Sequence, residues 1–385
     1  MRSLIDEALS RGTSPNQQQA PPAYAVQDQG YVQPQPQPQP QTSAIDDELS
    51  RFLDQLKTNI KIVGCGGGGT NTIGRIVEEG ITGAELYAAN TDAQHLLAIN
   101  APNKILLGRR CTRGLGAGAL PRVGEEAAAE ADDELRRSLM DAHIVFVTAG
   151  MGGGTGTGSA PYVAKLAKTM GALTIAVTTM PFEGEGRMRM ENAIWGLERL
   201  RESADTVIVI PNDKLLKVCP NLSINLAFKV ADELLMRAIK GITEIITKPG
   251  LVNLDFNDIK TIMKGAGVAL IGLGESEEDS DDRATEAIED ALNSPLLEVD
   301  ISDATGVLIN VVGGTNMTLM EAEKVASTIQ SRVSPNARII WGAAVDPTLS
   351  NKMRVMLIIT GVKSEQIFDK KPVDEEYLDG IPTVR

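Results

Sequence analysis

The sequence is short of aromatic rings, histidine and cysteine. Two Trp, five Tyr and six Phe make up 3% of 385 residues, so Ile, Leu, Val and Ala must fill its cores. Two histidines, His95 and His143, are too few for a His-based metal site or a Ser/His/Asp triad, and they read as partly buried or surface side chains. Cys65, Cys111 and Cys219 lie far apart with no C-x-x-C spacing, which fits a reduced, cytosolic chain. Positive charge is scarce as well. A formal net charge of −14 argues against a general nucleic-acid or membrane-surface binder, which needs clustered Lys and Arg. No apolar run approaches a membrane span and no signal-peptide pattern opens the chain, so no direct membrane insertion is expected.

What is present is a hydrophobic fraction of 42%, enough for the cores of two domains. Residues Thr13 to Gln41 are rich in Pro, Gln and Ala and cannot bury enough apolar surface to offset their ordering entropy. The short amphipathic piece before them, with Leu4, Ile5, Ala8 and Leu9 on one face, reads as a frayed end. Ile45, Leu49, Phe52, Leu53 and Leu56 recur at helical spacing after a possible Ser43 cap. These features predict a disordered extension over 1–43 and a helix over 44–58.

From Asn59 strands and helices alternate. Strands are predicted over Ile60–Val63, Leu86–Ala89, Lys104–Leu107, His143–Thr148, Leu173–Thr178 and Thr206–Ile210. Helices are predicted from about Thr72, and over Asp92–Ile99, Val123–Leu139, Ala160–Met170 and Glu191–Arg201. Such alternation means a parallel sheet covered on both faces, with ligands at the carboxyl ends of its strands. A long helix follows from about Ile224 to Ile246 and stops at Lys248-Pro249-Gly250. A second, smaller α/β domain comes next, with strands over Val268–Leu273, Val307–Val312, Ile339–Val345 and Val355–Thr360 and helices over Thr285–Leu292 and Leu319–Val333. Its last two strands lie close in sequence, as a hairpin-like pair would. The acidic run Glu275–Asp282 lacks EF-hand spacing and reads as a solvated loop. The resulting division is a nucleotide-binding domain over 59–222, a central helix over 223–247, a second domain over 248–362 and an acidic tail over 363–385.

The chemistry lies at the ends of the first-domain strands. Gly64-Cys65-Gly66-Gly67-Gly68-Gly69-Thr70-Asn71 follows a strand and opens a helix, where backbone N–H groups and the helix N-terminus favour an anion. It also satisfies G-x-G-x-x-G, so a nicotinamide-dependent Rossmann oxidoreductase stands as an alternative. Against it, the second strand ends Ala89-Asn90-Thr91-Asp92, a poor fit to the expected ribose-binding acid. A second tract, Gly152-Gly153-Gly154-Thr155-Gly156-Thr157-Gly158, follows another strand, and a third small-residue loop lies at Gly114–Gly118. Several Gly-rich loops on separate strands point to several anionic groups held by main chain. The P-loop pattern G-x-x-x-x-G-K-[ST] is absent.

The tract GGGTGTG resembles the signature of the tubulin/FtsZ superfamily, and motifs from roughly Asn59 to Val362 occur in that family's order. The resemblance, to its prokaryotic cell-division GTPases, implies a GTP-binding domain, a long central helix and a smaller C-terminal domain. It implies GTP/GDP and Mg²⁺ as ligands. Gly66 to Asn71, including Gly67, Gly68, Gly69 and Thr70, resemble the first phosphate loop, with Asn71 also near the base. Asn90 to Gln94, with Asp92, resemble the loop near phosphates and metal. Gly152 to Thr157, with Gly154, Thr155 and Gly156 at the centre, resemble the phosphate cradle. Glu185 and Arg189 resemble the sugar-contacting acid and the phosphate-side base, and Asn212 a contact near the sugar. Phe228 and Asp232 resemble the residues that stack on guanine and accept its N–H groups; four apart, they share one helical face.

Asn253-Leu254-Asp255-Phe256-Asn257-Asp258 has two readings. On pattern alone, Asp255 caps a helix starting near Phe256 and Asp258 completes a capping box. The resemblance instead implies the family's catalytic loop, with Asn253, Asp255 and Asp258 as its members. If Phe228 contacts guanine, the helix carries the chain some 27 Å away, at about 1.5 Å per residue. These aspartates would then serve the nucleotide of the next subunit in a head-to-tail homopolymer. A low-turnover regulatory GTP-binding relative is the other alternative. The tail from Asp374 to Arg385 resembles the peptide by which the family holds membrane-tethering division adaptors, placing the protein in the cytoplasm at the division site.

Overall fold

The computed structural model describes residues 58–218, 223–248, 250–252, 254–276, 282–297 and 299–362. The Pro/Gln-rich extension, the helix expected over 44–58, Cys219, Asn253, most of the acidic run and the tail from 363 lie outside the described residues.

Six parallel strands form the first half of one ten-stranded sheet: β1 (Ile60–Cys65), β2 (Ala84–Asn90), β3 (Asn103–Leu106), β4 (Ile144–Gly150), β5 (Leu173–Met180) and β6 (Thr206–Pro211). Their spatial order is β3-β2-β1-β4-β5-β6. Every residue of β1 is buried, as are those of β4 up to Gly150, because helices cover both faces. The connection direction reverses between β1 and β4, and the crevice beyond their carboxyl ends is where such sheets bind ligands. The helices of this half are α1 (Gly66–Glu79), α2 (Ala93–Ala98), α3 (Pro121–Glu130), α4 (Asp132–Leu139), α5 (Thr155–Thr169), α6 (Arg187–Ser203) and α7 (Asn212–Val218).

Both glycine tracts are largely helix rather than loop. The predicted starts near Thr72 and Ala160 move back to Gly66 and Thr155. Glycine costs a helix about 1 kcal/mol per residue, so propensity argued for a late start. Packing overrides it: a Cβ on Gly69 would sit 2.3 Å from the Thr148 carbonyl oxygen, and one on Gly66 2.6 Å from the Gly156 amide. The two helix starts approach each other backbone to backbone. The single helix expected over Val123–Leu139 is two, broken at Ala131, where ψ moves to 15°.

The central helix α8 (Ile224–Thr247) carries buried side chains around most of its circumference, among them Val230, Leu234, Ala238, Ile239 and Ile242. It packs on α1 on one side and on the second half of the sheet on the other, where the Asn310 Nδ2 donates to the Gly241 carbonyl at 3.2 Å. A Cβ at Gly241 would fall 2.6 Å from Met356 Cε, so the missing side chain permits that approach.

After α9 (Phe256–Met263), strand β7 (Gly267–Glu275) joins β6 in parallel at Thr206, Val207 and Ile208 only. There follow α10 (Arg283–Leu292), β8 (Gly306–Gly313), α11 (Leu319–Gln330), β9 (Arg338–Val345) and β10 (Met353–Thr360). The hairpin-like pairing of the last two strands is not what forms. β10 lies antiparallel between β7 and β8, while β9 pairs in parallel with β8 at the sheet edge. Apolar content decides this: β10 is buried at all positions but Arg354, whereas β9 keeps only Gly342 and Ala343 buried. Two apolar clusters result, one under β1–β6 and one around β7–β10 with α10 and α11.

Candidate functional site: a nucleotide cleft and a distant acidic loop

A cleft of about 570 Å³ opens at the carboxyl ends of the parallel strands, and the start of α8 closes one side. Its volume is ordinary for a small-molecule site. Gly67, Gly68 and Asn71 line it from α1, and Gly153, Gly154, Thr155 and Gly156 from the β4–α5 junction. No atom lies within 4 Å of a Cβ built on Gly67 or Gly153, so their backbone faces open space. First-turn amides of α1 and α5 have no intrahelical acceptor and favour anionic oxygens. The third small-residue loop closes the cradle, its Gly118 carbonyl accepting from the Gly154 amide at 3.0 Å. The Thr155 hydroxyl meets that of Thr91 at 2.6 Å, tying the cradle to the loop after β2.

Asp92 caps α2. One carboxylate oxygen accepts from the Gln94 and His95 amides at 2.9 and 3.0 Å, and the other has no partner among the described residues. Glu185 and Arg189 line the opposite wall and form an ion pair with each other, while a second Glu185 oxygen accepts from the Phe182 amide at 2.9 Å. Their neighbour Arg187 points away, pairing with Glu191 in solvent. Asn212 lines the cleft, is 3% exposed, and its Oδ1 has no hydrogen-bond partner among the described residues. A buried acceptor left open costs on the order of 1–3 kcal/mol, so this oxygen fits a ligand N–H or O–H.

Phe228 leaves 37% of its surface exposed, edge-on to Phe182 at 5.3 Å between ring centroids. It offers a flat apolar surface in a chain with few. One helical turn on, Asp232 completes this wall. Burial pushes its carboxyl up to about 7, against the pull of Arg75, whose Nε lies 3.6 Å from Oδ2, and with a further push from neighbouring Glu233. A stacking ring and a half-buried carboxyl four residues apart suit a planar heterocycle carrying N–H donors.

Gly66, Gly69, Thr70, Gly152 and Thr157 lie behind the wall rather than on it. Gly66 and Gly69 permit the backbone contacts described above, and the Thr70 hydroxyl donates to the Gly66 carbonyl at 2.8 Å. Gly152, at φ 103°, donates its amide to the Thr157 hydroxyl at 2.9 Å, and a Cβ there would meet the Arg189 carbonyl. His95 and Thr179 line the cleft without having been singled out in the sequence, beside Asn90, the first residue of the Asn90–Gln94 loop. His95 alone left a clue, three residues after Asp92 on the same turn.

Asp255 and Asp258 are absent from the cleft. The Asp255 Oδ1 accepts from the Asp258 amide at 2.9 Å, and Asp258 Oδ2 from the Asp255 amide at 3.2 Å, a complete capping box for α9. Adjacent Phe256 packs against His143, which immediately precedes β4, with ring centroids 6.0 Å apart. Gly150 at the other end of β4 lines the cleft. The aspartates thus lie toward the amino ends of the strands, and the cleft lies at the far end of β4, whose seven residues span about 23 Å at 3.3 Å per residue. Among the described residues no group of three or more His, Cys, Asp or Glu side chains is placed to hold a metal, and no helix is long and apolar enough to cross a membrane.

Sequence models of two families match the chain: Tubulin/FtsZ family, GTPase domain, over residues 59–220, and FtsZ family, C-terminal domain, over 267–363. Among curated relatives, Cell division protein FtsZ 1 of Archaeoglobus fulgidus is 54% identical over the full length of both chains. Cell division protein FtsZ of Haloferax mediterranei is 58% identical over 87% of this chain and 88% of its own. Among solved structures, the empty FtsZ dimer of M. jannaschii is 55% identical, with a TM-score of 0.79 over 83% of this chain and 92% of that one. The GDP-bound CetZ1 monomer of Haloferax volcanii, at 21% identity and a TM-score of 0.71 over 80% of this chain and 96% of that one, shares the fold. Neither the oxidoreductase nor the low-turnover alternative finds support in these matches. The chain belongs to the Tubulin/FtsZ family and is a GTPase.

Proposed function

We propose that this chain is a GTP-dependent, head-to-tail polymerising GTPase of the cell-division ring, acting in the cytoplasm at the division site, with each active site completed between adjacent subunits. The observation that carries this reading is the separation of the two half-sites. The cleft sits at the carboxyl ends of β1 and β4, and the Asp255/Asp258 pair at the amino ends, beside His143. Neither aspartate can reach a nucleotide in its own subunit. Stacked head to tail, the loop of one subunit meets the cleft of the next, a heterologous contact that propagates as a filament. Leu115 at the cleft mouth and Leu251 near the aspartates are 87% and 50% exposed, as apolar side chains on two faces that cover each other would be. The related FtsZ of M. jannaschii, solved as a dimer, also self-associates.

In this reading the α1 and α5 amides and Arg189 hold the phosphates, Glu185 and Asn212 the sugar, and Phe228 and Asp232 the base. The open carboxylate oxygen of Asp92 and the phosphates would hold Mg²⁺, which takes one or two carboxylates plus phosphate oxygens. Bound there, Mg²⁺ supplies charge neutralisation. From the neighbouring subunit, Asp255 and Asp258 orient and polarise the attacking water and Asn253 assists. Capping and catalysis are compatible, because the capping box uses one oxygen of each carboxylate and fixes where the other points. The C-terminal residues Gly380 to Arg385 hold a membrane-tethering adaptor.

The test is phosphate release and light scattering after GTP addition across protein concentrations. A threshold concentration for both signals is expected. Hydrolysis linear in protein from zero would remove the shared active site.

A further inference from the structure

We infer that Arg75 is a positioning residue for guanine recognition: from α1 it pairs with Asp232 and keeps both carboxylate oxygens as hydrogen-bond acceptors. The inference rests on the cleft being the GTP site, with Asp232 facing the base. Gly67, Asn71 and Arg75 follow one another at four-residue spacing and share one face of α1. The first two line the cleft. Arg75 comes one turn later, where α1 packs on α8. Its Nε sits 3.6 Å from Asp232 Oδ2 and its Nη1 3.9 Å from Glu233 Oε2. Glu233 has a nearer cation, Arg237, one turn along α8 at 3.0 Å. Asp232 has no other, so Arg75 is its one cationic partner among the described residues.

Guanine presents N1–H and its 2-amino group side by side, two donors that need two acceptors. An ionised carboxylate supplies them. A protonated carboxyl offers one donor and one acceptor, the pattern that N1 and the 6-amino group of adenine complete. The charged groups acting on Asp232 are Arg75 from α1 and Glu233 beside it on α8. Burial and Glu233 both favour the protonated form, and Arg75 opposes them. A carboxylate oxygen accepts more than one hydrogen bond, so the pair with Arg75 leaves Oδ2 able to serve the base. The same side chain ties the helix that cradles phosphate to the helix that reads the base.

The experiment uses the full chain, with GDP and ADP as probes; the two share sugar and phosphates. Removing an opposite charge at this range raises a carboxyl by about 1–3 pH units. Arg75→Met should therefore weaken GDP about tenfold at pH 7, regain most of that loss by about pH 9, and leave ADP within about threefold of wild type. Arg75→Lys, which keeps the charge, should follow wild type at every pH. In Asp232→Asn nothing is left to ionise, so adding Arg75→Met should change GDP by less than about threefold. That double variant leaves no carboxylate unpaired, and its comparison with Asp232→Asn decides the matter even if Arg75→Met alone fails to fold. A residue that only packs α1 on α8 would lower GDP and ADP together, at every pH and in both backgrounds. Equal loss of the two nucleotides, a loss that ignores pH, unchanged GDP affinity in Arg75→Met, or a tenfold further loss in the double variant would each overturn the inference. If Asp232→Asn weakens GDP while Arg75→Met binds it normally, only the role of Arg75 falls. If Asp232→Asn itself binds GDP like wild type, the reading of the cleft falls with it.

Discussion

Replacing Asp232 by Asn tests whether the cleft is built around an ionised carboxylate that the empty protein disfavours. Burial raises this group from 3.8 to about 7. A carboxyl with a folded-state value above its unfolded one binds its proton more tightly when folded. Its contribution to stability is present below about 4 and is lost as pH climbs toward 7. At pH 8 the ionised group therefore burdens the empty fold, by at most about 4 kcal/mol at 1.36 kcal/mol per unit. The weak pairing to Arg75 at 3.6 Å is already included in the balance. Guanine, by donating N–H groups to the carboxylate, reverses the sign. Three results follow. Asp232→Asn should raise the melting temperature of nucleotide-free protein at pH 8 by several degrees. It should weaken GDP by about a hundredfold or more, since a charge-assisted contact worth about 1.5–3 kcal/mol is lost and an NH₂ is set against N–H donors. Wild-type affinity for GDP should fall as pH drops below 7, by up to about tenfold per unit, with the slope reduced in the variant, which retains phosphate titration as the control. Equal slopes in the two proteins, or a variant that melts lower than wild type, would refute the reasoning.

Mixing should reveal the divided active site directly. Asp255→Asn keeps the α9 cap, so it should melt like wild type and bind GTP yet hydrolyse at least a hundredfold more slowly; Asp255→Ala should lose a further ~1 kcal/mol of stability. Asp255→Asn mixed with Asp232→Asn should recover activity beyond the sum of the two, because an intact cleft then meets an intact loop. Gly69→Ala drives a Cβ to 2.3 Å from backbone and should destabilise by about 2 kcal/mol or more, whereas Gly67→Ala meets nothing within 4 Å and should melt at or slightly above wild type. Deleting Gly380–Arg385 should spare GTPase activity and abolish adaptor pull-down; unchanged pull-down would remove that role from the tail.

Strand alternation in the first half was legible because a buried parallel strand is a largely apolar run, as Ile144–Val147 and Val207–Ile210 are. The glycine tracts pointed to phosphate, but not to helices starting inside them, since propensity penalises glycine and only the contact between α1 and α5 selects it. The place of β10 was illegible for a related reason: nearness in sequence suggested a hairpin, and relative burial of two apolar strands is a tertiary property. Of the cleft, residues with a motif around them were found. His95 and the open Asn212 oxygen acquire meaning only in the folded cleft, where the one lines the wall and the other is buried without a partner among the described residues. The two readings of Asp255 looked exclusive in sequence, yet one carboxylate has two oxygens.

The central helix α8 also acts as a ruler. It begins at the cleft with Phe228 and Asp232 and ends where Thr247 packs against Gly83, ahead of β2. Its 24 residues span about 36 Å at 1.5 Å each. In a stack where one subunit's loop must touch the next subunit's nucleotide, the axial repeat is set by this rod plus the short turns beyond it. Filaments should then show a repeat somewhat longer than the helix, the same with GTP or GDP so long as the rod stays whole. Lengthening α8 by one turn would move every half-site by about 5.4 Å and change filament spacing and hydrolysis together.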